Sequence, residues 1–378
     1  MSTLTSRERE ISRFLQFGAD WLDISPALYE EAVTKYEEIS RWLHDPPSGL
    51  SIFEPEVFPQ GSFRVGTVVR PAHRENDYDI DLVCLLLIER DSVTKADLKK
   101  LIGDRLKARS GYRKILSEGK RCWTLSFPDK FHMDILPAIP DPNRNDGYLL
   151  ITDKELLRWQ SSAPKPFSEW FYTRMQSVLL EAKRAYATQN QANIEDVPDW
   201  RVKTPLQRAI QILKRHRDLH FRDDEENRPA SIIITTLAAH SYGNEAEVSA
   251  TLDSIVANMP AHIYRDSSGD YVILNPVNHE ENFADRWKGY PNRPRRFFEW
   301  LAAANEDLTS LNEMSGLDDI TRRLEPVLGK RFVESAVAAY GNDLRQQREA
   351  GQLKVTAGTG VLGSSGTSTV LPHTFFGA

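Results

Sequence analysis

The chain has 378 residues, of which 40% are hydrophobic and 27% charged, enough apolar material for a large bilobed body and too much for a disordered chain. Its formal net charge of −6 supplies no global basic field, so no nucleic-acid partner is required and one would need a local patch. Two cysteines, Cys84 and Cys122, both in apolar strand-like runs, are too few for a disulfide framework and read as reduced core residues without chemistry.

The first residues carry charges but no long apolar run, which argues against a secretory leader or a membrane span and predicts a cytoplasmic protein. Up to His44 the spacing predicts two helices, the second with Leu28, Ala32, Ile39 and Leu43 on one side before Pro46 and Pro47 stop it. From Val57 to Ile139, short runs rich in Val, Ile and Phe predict a sheet. A helix crosses it, with Ser92 or Thr94 as N-cap and Leu98, Leu101, Ile102 and Leu106 on one face. Residues 141–155 read as loop and turn, and a polar linker begins at Thr188.

The second half opens on Thr204, an N-cap, and Pro205, in the first helical position, followed by a stripe of Leu206, Ile210 and Leu213. Further helices are predicted over 231–242, 246–259, 295–308 and within 317–342. The basic cluster from Arg286 to Arg296 reads as a solvated charged turn. From Thr356 onward the Gly, Ser and Thr content predicts a flexible tail, ending in Phe375, Phe376, Gly377 and Ala378. The organisation is therefore α+β: a catalytic lobe over 1–200 that includes the N-terminal helical scaffold, a helical lobe over 201–355, and a tail over 356–378.

Chemistry concentrates in the sheet. In the run Tyr78-Asp79-Ile80-Asp81-Leu82, strand periodicity puts both carboxylates on one face and the apolar side chains on the other. Two such anions repel and raise each other's pKa unless a cation neutralises them. A second strand, Phe131 to Leu136, carries Asp134 between apolar neighbours, where a merely structural carboxylate is poorly solvated. Three carboxylates can hold two magnesium ions about 3.5–4 Å apart, the geometry of phosphoryl transfer. Upstream, Gln60-Gly61-Ser62 offers a turn with backbone amides and a hydroxyl for triphosphate oxygens.

The pattern G-S-F-R-x-G-T, then Y-D-I-D-L-V about a dozen residues on, then a lone Asp in an apolar strand, resembles the superfamily of DNA polymerase beta. More closely, the chain resembles the cyclic GMP-AMP synthase/DncV-like nucleotidyltransferases (CD-NTases), the signal-generating enzymes of bacterial anti-phage CBASS systems. Leu206-Gln207-Arg208 to Asp218 and the run from Ser231 to Leu237 look like that family's helical half. The resemblance implies a polymerase-beta-like mixed sheet with nucleotides in a cleft between the lobes, Asp79, Asp81 and Asp134 as magnesium (or manganese) ligands, and Gly61 and Ser62 as the phosphate turn. It further implies that Lys214 and Ser231 reach the donor phosphates; the general base is open between Asp134 and water, with Asp134 favoured. The implied function is synthesis of a cyclic di- or trinucleotide messenger from ribonucleoside triphosphates, ATP among them, that activates a separate effector. The end of the tail resembles that of members joined through their C-terminus to a target by E1- and E2-like enzymes, with Ala378 supplying the carboxylate.

Other readings are weaker. His216-Arg217-Asp218-Leu219 mimics a kinase catalytic loop, but Asp223 stands where the metal-binding Asn belongs and the partner motifs are missing. His216 and His220, at i and i+4, lack the Glu and third ligand of a zinc site and read as surface histidines. An enzyme that extends RNA ends or modifies protein would use the same aspartates but calls for a basic acceptor cleft. An inactive nucleotide-binding module sits poorly with an intact triad.

Overall fold

The structure, a computed structural model, describes residues 5–46, 49–72, 78–145, 147–152, 157–314, 316–364 and 366–370. Helix α1 (Ser6–Leu22) starts in a capping box in which Thr5 and Glu8 exchange hydrogen bonds, and α2 (Pro26–His44) starts at Ser25 with proline in the first turn. Strand β1 (Glu56–Pro59) leads into one turn of helix, α3 (Gly61–Arg64), then β2 (Tyr78–Leu85). Helix α4 (Lys95–Ala108), capped by Thr94, and the short α5 (Ser110–Arg113) precede β3 (Leu116–Glu118), β4 (Trp123–Phe127) and β5 (Phe131–Pro140).

Among the described residues these strands form a seven-stranded mixed sheet in the order β1-β2-β5-β4-β3, extended by β6 (Leu149–Thr152) and β7 (Trp159–Ser162). The central pair, β2 and β5, is parallel, and its other neighbours are antiparallel. Strand β6 takes up the far end of β5, pairing Ala138 to Pro140 beyond the reach of β4. The expectation of loop over 141–155 is corrected here: Leu149 to Thr152 form a strand with all four residues buried. Cys84 is buried in β2 as expected, whereas Cys122 is half-buried in the bend before β4.

Helices α6 (Pro164–Thr173) and α7 (Gln176–Asn190) fill a stretch in which the sequence signalled no element. Helix α8 (Pro205–His220) begins at Thr204, which forms a second capping box with Gln207, and is followed by α9 (Ser231–Ser241) and α10 (Val248–Asn258). Two small hairpins follow, β8 (Tyr264–Arg265) with β9 (Tyr271–Val272) and β10 (Leu274–Asn275) with β11 (Asn278–Asn282). Helices α11 (Asn292–Thr309), α12 (Leu317–Leu328) and α13 (Lys330–Glu349) complete the helical half.

Two main cores result. One lies between the sheet and helices α2 and α4, with Ile39, Leu43, Ile80, Leu82, Ile102 and Ile135 among its fully buried members. The other joins α8 to α13 and takes Ile11, Phe14, Leu15, Ala19 and Leu22 from α1, so the first helix packs with the last ones. Phe14 meets Tyr340 edge to face at 6.1 Å, Arg13 pairs with Asp343 at 2.5 Å, and Gly18 leaves the space that the Phe332 ring occupies. The Gly-rich stretch expected to be a flexible tail instead supplies β13 (Leu362–Gly363) and β14 (Ser368–Thr369), which flank β12 (Lys354–Val355). Phe375 to Ala378 lie outside the described residues. No described helix is long and apolar enough to cross a membrane.

Candidate active site

The parallel pairing of β2 and β5 sets Asp81 directly opposite Asp134, and Asp79 opposite His132. Ile80, Leu82, Met133 and Ile135 point the other way and are fully buried, which fixes the register: a slip of one residue would drive the carboxylates into the core. Asp79, Asp81, His132 and Asp134 thus share one face, at the floor of a cleft of about 1050 Å³.

Burial, then the neighbouring charges of Asp134 and Asp79, push the Asp81 pKa up to about 6, with Arg121 and Lys214 opposing the rise. Asp134 accepts a hydrogen bond from Thr124 Oγ1 at 2.5 Å on the flanking strand. Among the described residues no set of three or more His, Cys, Asp or Glu side chains is gathered closely enough to enclose a metal ion. The three aspartates stand as an open row, whose mutual repulsion a hard divalent cation bringing further oxygen ligands would relieve. In that chemical sense the residues fit magnesium.

The turn expected to cradle phosphates abuts this row. Gly61 has φ of +59°, and a Cβ there would sit 2.8 Å from Asp81 Oδ2, so only glycine allows the turn to close on the carboxylate. The Gln60 N–H donates to the Asp81 carbonyl at 2.8 Å, tying the turn to β2 through backbone. Gly61 and Ser62 line the cleft. Gln60 is not among the residues that line it.

Helix α8 forms the facing wall. Lys214 is 3% exposed, and its Nζ donates to Thr67 carbonyl oxygen at 3.0 Å and Oγ1 at 3.1 Å. Burial lowers its pKa to about 7, helped by Arg217 and opposed by Asp218 and Asp81. Arg217, which sequence reasoning passed over as part of a kinase-like decoy, is buried and organises the next loop. Its guanidinium donates to Asp218 at 2.6 and 2.8 Å, to the Pro229 carbonyl at 3.2 Å and to Ser231 Oγ at 2.8 Å. Ser231 is the first residue of α9 and no side-chain cap, since Ala230 precedes it as N-cap, and its hydroxyl lies on the cleft wall.

The basic run after residue 285 is also more than a solvated turn. Arg286, Trp287 and Arg293 line the cleft, with Arg293 half-buried and its Nη1 donating to the Arg286 carbonyl at 2.9 Å. A tryptophan inside a basic run was the available signal: Trp287 is 6% exposed and anchors the segment against Phe297. His216 departs from its surface reading as well. It is 2% exposed, accepts from Trp300 Nε1 at its Nδ1 at 3.0 Å, and donates from Nε2 to Asp307 at 3.0 Å, a structural bridge between α8 and α11.

An acidic row on paired strands, a glycine turn against it and a buried lysine across a cleft define a nucleotidyltransferase. Residues 10–174 match the Second Messenger Oligonucleotide or Dinucleotide Synthetase domain family. Over 366 residues, 95% of each chain, the protein is 29% identical to the c-di-GMP synthase of Roseivirga ehrenbergii. It is 24% identical over 367 residues, 90% of its own chain and 85% of the relative, to the cyclic dinucleotide synthase CdnG of Bradyrhizobium diazoefficiens. The solved structure of that Bradyrhizobium CdnG in complex with GTP shares the fold, with a TM-score of 0.69 over 88% of this chain and 99% of the other at 20% identity. Over most of its length the chain is thus similar to CD-NTases.

Proposed function

We propose that this nucleotidyltransferase is a cyclic dinucleotide synthase that takes GTP and closes a cyclic messenger. The observation that carries the proposal is the register of Asp81 beside Asp134 on the floor of a cleft whose opposite wall bears Lys214 and Ser231. The printed activities of the Roseivirga and Bradyrhizobium relatives support the product class, and the GTP complex of the latter supports the substrate. Use of ATP as well rests on the family resemblance.

In this reading the Gly61-Ser62 turn and the Lys214 ammonium orient the triphosphate, while Ser231 donates its hydroxyl to phosphate oxygen. Asp79, Asp81 and Asp134 hold divalent ions, magnesium in the first place, which would neutralise charge at the attacking and leaving oxygens when bound. A ribose hydroxyl attacks the α-phosphorus, a new P–O bond forms, and the bond to the β-phosphate oxygen breaks to release pyrophosphate. Asp134, held by Thr124, accepts the hydroxyl proton. A second round of the same transfer closes the ring.

The test incubates wild-type protein and an Asp79→Ala, Asp81→Ala double variant with all four ribonucleoside triphosphates and magnesium, and identifies phosphatase-resistant products by mass spectrometry. A resistant cyclic dinucleotide from the wild type alone is expected. Linear products alone would move the enzyme to RNA-end or protein modification, and no product from any triphosphate would overturn the reading. The messenger's role in phage defence through a separate effector, and C-terminal conjugation through Ala378, belong to the same proposal and draw their support from the sequence. For conjugation, loss of a covalent adduct on deleting Ala378, in the presence of E1- and E2-like enzymes, is expected; an undiminished adduct would refute it.

A further inference from the structure

The stretch that follows the phosphate turn is held by side chains rather than by a sheet ladder. Gln207 Nε2 donates to the Val65 carbonyl at 3.0 Å, and Lys203 Nζ to the Gly66 carbonyl at 3.0 Å. Lys214 Nζ donates to the Thr67 carbonyl at 3.0 Å, and Gln211 Nε2 to the Val68 carbonyl at 2.7 Å. Four consecutive carbonyls thus each take a donor from helix α8 or the residues entering it. Gln207 and Gln211 are 1% and 0% exposed, so their amides cannot turn to water without leaving the carbonyls unsatisfied. The conformation of the stretch depends on this contact. Gly66 has φ of +69°, and a Cβ on it would lie 2.5 Å from Gln207 Nε2.

The stretch is joined to the turn by backbone. The Val65 N–H donates to the Gly61 carbonyl at 3.2 Å and the Thr67 N–H to the Ser62 carbonyl at 2.9 Å. Any shift of residues 65–67 is therefore handed directly to Gly61 and Ser62. The donors are also registered against the N-terminal helix: Gln211 Nε2 lies 3.1 Å from Asp23 Oδ1, Lys203 Nζ lies 3.6 Å from Asp23 Oδ2, and Arg208 lies 3.2 Å from Asp23 Oδ2.

We propose that Gln207 and Gln211 are positioning residues for triphosphate binding, a side-chain template by which the helical half sets the angle at which the Gly61-Ser62 turn meets the nucleotide. The inference rests on the reading of that turn as the phosphate site. Lys214 belongs to the same row of donors and to the proposed phosphate contacts, so the row and the nucleotide share one ammonium. The glutamines hold the stretch when Lys214 is engaged by phosphate.

Gln207→Glu separates this role from helix stability. Its carboxylate still accepts the Thr204 N–H that Gln207 Oε1 accepts at 2.9 Å, preserving the capping box, but it has no N–H for the Val65 carbonyl. Binding of a non-hydrolysable GTP analogue with magnesium is measured by calorimetry, which gives both the dissociation constant and the active fraction, alongside the thermal midpoint. Gln207→Glu is expected to weaken binding by about ten- to a hundredfold with the active fraction unchanged. Gly66→Ala, which attacks the same contact from the other side, should do likewise. A purely structural role would lower the midpoint and active fraction but leave the dissociation constant of the folded molecules at the wild-type value, and that result in both variants would overturn the inference. Failure of the wild type itself to bind any of the four triphosphates would remove the phosphate-site reading instead, and the inference with it.

Discussion

Lys214 places an ammonium where water does not reach, and its pKa of about 7 against 10.5 in an unfolded chain makes it a source of pH dependence. Below pH 7 the group is charged in both states and the full cost of burying that charge is present. As pH rises from 7 toward 10.5 the folded chain binds fewer protons than the unfolded one, and the cost is relieved. Lys214→Met should therefore stabilise the protein most at pH 6, with the advantage shrinking by pH 9.5, as read by thermal melts across that range. A gap that stays constant with pH would mean that Lys214 keeps an ordinary pKa. In the proposed reading, nucleotide phosphate would satisfy the charge whose burial costs stability in the empty protein. Asp81 has the mirrored arrangement, a carboxylate lifted by burial and two neighbouring anions, and a cation is what its surroundings call for.

At the scale of elements, what could be read from the sequence was whatever periodicity enforces. Strands β2 and β5 announce themselves because apolar residues alternate with aspartates, and α8 because Thr204, Pro205 and Gln207 spell out its start. Strand β6 was missed because four buried residues between turn-forming Gly147 and polar flanks are too short to show alternation. The polar face of α8 misled in another way. Gln207, Gln211 and Lys214, at i, i+4 and i+7, have the spacing of a solvated helix face, yet each is buried against carbonyls distant in sequence. Periodicity distinguishes polar from apolar but not water from a buried acceptor, so Lys214 stood out only through the family pattern and the buried bonds of Gln207 and Gln211 became visible only in the fold. Arg293 and Trp287 escaped for the same reason, since a charge cluster says nothing of the wall it leans on.

For the whole molecule, the decisive arrangement is that α1 fills a groove made by helices from the far end of the chain. All residues lining the cleft lie between Gly61 and Arg293, yet the core behind α8 is closed by α1 and α13 together. A chain ending at Gly329 keeps every cleft residue but strips the partner from Phe14, Gly18 and Arg13. It should bind an apolar dye, lose cooperative melting and fail to bind nucleotide; wild-type affinity for the GTP analogue in that truncated chain would show the cleft to be independent of the closure. The arrangement also sets an order of events during synthesis. Translation at about 5–20 residues per second leaves α1 waiting roughly 15–60 s for α13 to emerge, its apolar face open to chaperones in the meantime. Every residue that lines the cleft is thus synthesised before the helix that closes the core behind it.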